Sequence, residues 1–112
     1  MSDGLPNSAK IFKAFDEYPL TEKERPLIRT LHEHPNSTAA ELSMFLELPT
    51  ERSWNGKFQS ICVKRKHMLG PGPQSKSNKS KAFVGGNIAD YDGQRLSLRG
   101  EAADAFRRLG VI

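Results

Sequence analysis

Thr38-Ala39-Ala40-Glu41-Leu42-Ser43-Met44-Phe45-Leu46-Glu47-Leu48-Pro49-Thr50 is the stretch on which the fold turns. Thr38, with Glu41 three residues on, has the form of a capping box, in which each side chain takes the other's backbone amide. The helix it opens is short and faces Leu42, Phe45 and Leu46 inward. Leu48-Pro49 stops it, because the residue before a proline is pushed out of the helical region. Thr50 then stands where a cap for the next helix belongs, with Glu51 near that helix's positive end.

That next helix is expected over about 50–68. At 100° per residue, Trp54, Phe58, Ile61, Cys62 and Leu69 gather on one side. Arg52, Gly56, Gln59, Val63 and His67 gather on the other, flanked by Asn55 and Lys66 on one edge and Ser60 and Lys64 on the other. Arg65 falls at the inner-face angle, which suits an ion-paired or snorkelling side chain.

Upstream, residues 1–6 read as a disordered N-terminus. Ser8 can cap a short helix carrying Ile11, Phe12 and Phe15, closed by Tyr18-Pro19. Thr21 and Glu24 form a first capping box, with Leu20 as a staple. The helix carrying Leu27, Ile28 and Leu31 starts either there or at Pro26, and stops at His34-Pro35-Asn36.

Downstream, Gly70 to Ala82 reads as a flexible basic loop, beginning Gly70-Pro71-Gly72-Pro73 and continuing Ser/Lys/Asn-rich. Phe83-Val84 suits a short strand and Gly85-Gly86-Asn87 a turn. Ile88 to Tyr91, Asp92-Gly93 and Gln94 to Leu96 read as a hairpin with Asp90 facing Arg95. Ser97 would cap a last helix with the stripe Leu98, Ala102, Ala105, Phe106 and Leu109, ended by Gly110. The expected fold class is mainly α with a small β-hairpin, an α+β domain over 7–112.

With 112 residues the chain has the length of one domain. No apolar run approaches the roughly 20 residues of a membrane span, so no membrane partner is expected. The N-terminus lacks the basic start and apolar core of a signal peptide. A single cysteine, Cys62, suits a reducing, cytoplasmic setting. The net charge is +4, but it is unevenly spread. Arg52 to Ala89 carries eight basic residues and no Asp or Glu, while the rest holds nine basic and thirteen acidic ones. A basic middle on an acidic body points to a polyanion; a solubilising loop would account for Lys76 to Lys81 but not for the whole stretch.

The stretch from Thr38 to Thr50 resembles the first half of a helix-turn-helix, and with the hairpin the chain looks like a winged helix over about residues 20–110. Leu96-Ser97-Leu98-Arg99-Gly100 is similar to the segment that follows the wing in MarR-like regulators. The connection departs from the pattern in using Leu48-Pro49 without a glycine, and the terminal helices are short for MarR-like dimers. The resemblance implies a transcriptional regulator that binds double-stranded DNA with the helix at about 50–68 in the major groove. The residues agree. Arg52, Asn55, Gln59 and Ser60 lie in the outer N-terminal half, where side chains meet base edges. Gly56 would allow a close approach. Lys57, Lys64 and Lys66 suit phosphates, and Lys76, Lys79, Lys81 and Arg95 the flanking backbone. A merely solvated basic helix is the plainer alternative.

Other chemistry is weaker. His32 and His34 point to different sides of a helix, and Cys62 and His67 stand about 140° apart. No second cysteine exists for a structural zinc site. Cys62 on an apolar face suits packing rather than nucleophilic attack. The carboxylates are scattered, and the glycine-rich runs lack the Gly-Lys-Ser/Thr of a phosphate loop. No enzyme and no cofactor are expected. An RNA-binding winged helix, a protein-interaction module without a nucleic-acid role, and a homodimer remain as alternatives.

Overall fold

In a computed structural model, residues 5–73 and 83–112 are described. Among these residues the chain forms six helices and a three-stranded antiparallel sheet. Helix α1 (Ser8–Glu17) precedes α2 (Arg25–Glu33), the two-residue strand β1 (Ser37–Thr38), α3 (Ala39–Phe45), α4 (Ser53–Val63) and the single turn α5 (Lys66–Leu69). A 3-10 turn (Val84–Asn87), β2 (Ala89–Tyr91), β3 (Arg95–Leu98) and α6 (Gly100–Arg108) complete it. No described helix is long and apolar enough to cross a membrane.

Both capping boxes form. Thr38 N donates to Glu41 Oε1 at 2.9 Å and Glu41 N to Thr38 Oγ1 at 3.1 Å. Thr21 and Glu24 exchange the same pair at 3.0 and 3.2 Å, closing a turn ahead of α2, whose first turn holds Pro26. Asn7, not Ser8, caps α1 by accepting from Lys10 N. Pro6, at the end of the stretch expected to be disordered, is buried, and its carbonyl accepts from Arg99.

The α3–α4 connection closes without glycine. Glu47 takes a left-handed φ of 53°. Leu48 N then donates to Ser43 O at 2.9 Å and Glu47 N to Met44 O at 3.0 Å, the two bonds of a Schellman motif. Ser43 ties the next helix in: its hydroxyl donates to Glu51 O and accepts from Trp54 N, each at 3.0 Å. These bonds hold the start of α4 against α3. Trp54 stacks on Phe58 at 4.6 Å and donates from its indole to Leu27 O, locking α4 onto α2. Phe15 and Phe106 meet edge to face at 4.8 Å, joining α1 to α6.

Several expectations are corrected. Phe45 is 43 % exposed and stacks on His34 at 4.1 Å instead of entering the core. The helix expected over 50–68 begins at Ser53 and breaks after Val63, because Arg65 leaves helical geometry at φ −115°, ψ 14°. Phe83-Val84 is not a strand; the chain there enters a 3-10 turn. Ser97 and Leu98 belong to β3, so Arg99 occupies the N-cap position of α6 without a side-chain cap bond, and the helix's buried face is Ala102, Ala105 and Phe106.

The sheet runs β1-β3-β2, with β1 an addition to the expected hairpin. The register differs too. Asp90 lies opposite Ser97, and Arg95 opposite Thr38 of β1, so Asp90 and Arg95 are not partners. The Asp92 carboxylate accepts from Gln94 N at 2.8 Å and Arg95 N at 2.7 Å, which places Gly93 and Gln94 at the tip. The slip is two residues, so each side chain keeps its expected face.

Candidate nucleic-acid interface

Helix α4 has two unlike sides. Trp54, Phe58, Ile61 and Cys62 are fully buried against α2, α3 and the 3-10 turn. Arg52, just ahead of it, is exposed, as are Asn55, Gly56, Lys57, Ser60, Val63 and Lys64. The three turns of α4 run about 16 Å. Among the described residues, Arg52 and Lys57 have no ion-pair partner.

Gln59 departs from the expected role. It is half-buried, and its Oε1 accepts from Gly85 N at 3.1 Å, while Nε2 lies 3.4 Å from Asn55 Oδ1. The side chain thus fastens α4 to the 3-10 turn and is not an open group on the outer face. Gly85 permits this contact: a Cβ there would lie 2.7 Å from Phe58 Cε2 and 3.1 Å from Gln59 Nε2. No sequence pattern joins positions 59 and 85; the doublet Gly85-Gly86 is the only hint of a close approach.

Lys64 is exposed, but its Nζ lies 2.8 Å from Glu24 Oε2. Burial works to raise the Glu24 carboxyl. The hydrogen bonds from Lys64 and Thr21, with the charges of Lys64 and Arg65, outweigh it and hold the group below its ordinary value. Arg65 itself is 2 % exposed. It donates to the carbonyls of Tyr18, Ile61 and Pro19, stands 3.7 Å from Glu24 and lies over the Phe15 ring. This is the inward, paired role its helical angle suggests. Cys62 is buried, and burial pushes its thiol up to about 12 despite the nearby Arg65 charge.

Lys66 is exposed but sits on α5, beyond the break. Arg95 is on β3, where it donates to Asn36 O at 3.0 Å and pairs with Glu41 at 3.4 Å. Lys76, Lys79 and Lys81 lie outside the described residues. The structure therefore brings Arg52, Asn55, Gly56, Lys57, Ser60 and Lys64 onto one surface, and holds Gln59 and Arg95 in contacts of their own. Sequence reasoning missed Ser43, which positions the start of α4, and Glu24, which faces Lys64 across a groove. Among the described residues, no three His, Cys, Asp or Glu side chains group as metal ligands.

Compared with known proteins, the chain matches no family model, no curated protein and no solved structure.

Proposed function

We propose that the chain is a winged-helix protein that binds duplex DNA, with α4 in the major groove and the β2–β3 hairpin beside it, and that it serves transcriptional control without catalysing a reaction. The observation that carries this is the outer side of α4. It exposes Arg52, Asn55, Lys57, Ser60 and Lys64, and the helix contributes no carboxylate of its own. Its inner side is anchored by buried aromatics, so the outer side is rigidly presented. The tight α3–α4 connection and the hairpin in a three-stranded sheet fit the winged-helix resemblance.

Fluorescence anisotropy with duplex DNA of about 20 base pairs, across about 50 to 200 mM salt, tests the proposal. Phosphate contacts from Lys57, Lys64 and Lys66 should give a log–log slope of about −3. On a selected site, Arg52→Ala and Asn55→Ala should each cost about 1–3 kcal/mol and relax specificity. Absence of binding at low salt overturns the proposal. Equal affinity for duplex RNA overturns the choice of DNA, since the deep, narrow major groove of RNA does not admit a helix.

A protein partner is the second reading. It is favoured by Met44, 66 % exposed, and Phe45 beside it on α3, next to the Leu48-Pro49 turn. Binding that survives high salt would mark this apolar surface.

A further inference from the structure

Gly56 lies inside α4, its N–H bonded to Arg52 O at 3.1 Å, in a conformation any residue adopts. Glycine is among the poorest residues for a helix interior. The fold gives no steric reason for it: a Cβ at Gly56 would meet nothing within 4 Å, unlike one at Gly85. Gly56 borders a groove between α4 and the turn ahead of α2. Gly56, Lys57 and Ser60 line one wall, and Thr21 and Lys23 the other, with the Lys64–Glu24 pair at its end. Among the described residues, neither Lys23 nor Lys57 has an ion-pair partner.

We infer that this groove receives a backbone phosphate of the DNA duplex, and that Gly56 is glycine because the phosphate passes where a side chain would stand. The inference rests on the duplex-DNA reading and adds Lys23, which is not on α4, as a phosphate-binding residue. Lys23 and Lys57 supply the charge and Ser60 a hydroxyl donor. Gly56 supplies room and no donor, because its amide is spent within the helix.

The test is Gly56→Ala, followed by thermal unfolding and by anisotropy on the same duplex DNA. The expected Tm rises by about 3–6 °C, since alanine is the better helix former. The expected affinity falls at least about tenfold, the size of one lost good contact. Gly100→Ala on α6, also without a neighbour within 4 Å, should leave affinity unchanged. Lys23→Ala should lower the salt slope by about 1. A higher Tm with full affinity overturns the inference, and a lower Tm does so by revealing a role for Gly56 inside the fold. An unchanged slope in Lys23→Ala, with the wild-type chain binding, removes the phosphate from this groove. If the wild-type chain does not bind duplex DNA, the functional reading itself fails and the inference with it.

Discussion

Three polar residues hold what the apolar core alone would leave loose. Ser43 bonds the entry of α4, Arg65 gathers three carbonyls, and Glu24 receives the charge of Arg65 and Lys64. Glu24 gives this arrangement a pH signature. Its pKa in the fold is lowered from the ordinary 4.5, so its contribution is complete above that value. It is lost as pH falls through the lowered folded value, where both states are protonated. Glu24→Gln keeps the capping geometry and removes the charge. It should cost about 1.5–3 kcal/mol at pH 7, the worth of a charge-assisted hydrogen bond. The Tm difference from wild type should then close as pH falls below about 4, in thermal unfolding followed by circular dichroism. A difference that persists unchanged at pH 2.5, on the order of two units below the usual carboxylate value, would show that the charge is not what Glu24 contributes.

At the scale of elements, Glu47 and Gly110 make a natural comparison. Both follow a helix at positive φ, 53° and 77°, with Schellman hydrogen bonds closing α3 and α6. Only at Gly110 is the residue free of steric penalty there. Glu47→Gly should therefore stabilise the fold by about 0.5–1 kcal/mol, read as a Tm higher by about 2–6 °C with no change in m-value. Capping boxes and apolar spacing made most helices legible, because those cues are local. The break at Arg65 was not, because apolar residues continue from Trp54 to Leu69 across it and only the buried guanidinium explains the turn. Two-residue β1 carries no alternation to read, and the hairpin slipped because the Asp92 side chain took the turn amides. The exposed side of α4 was legible from its periodicity. Gln59 was not, since its partner at Gly85 is 26 residues away and becomes visible only once the 3-10 turn is packed on α4.

At the scale of the molecule, the helices and sheet enclose one continuous apolar cluster, from Ile11 and Phe15 through Trp54 and Phe58 to Leu96 and Phe106. On its surface Phe83 N donates to Pro73 O at 2.6 Å, joining the described residues that flank 74–82. Asn87 Nδ2 donates to Gly70 O nearby, tying the same two flanks together a second time. The two flanks of residues 74–82 are thus held to each other by contacts of their own. Replacing residues 74–82 with a glycine-serine linker of about five residues should change closure entropy by about 0.5 kcal/mol and leave Tm within roughly 3 °C. If Lys76, Lys79 and Lys81 touch phosphates, the same exchange should flatten the salt slope by up to about 3. A large loss of Tm would show that the core does depend on the span. The Pro73–Phe83 contact thus works as a clasp: it fixes the separation of the two flanks, and the exchange reads whether the architecture behind it needs anything more.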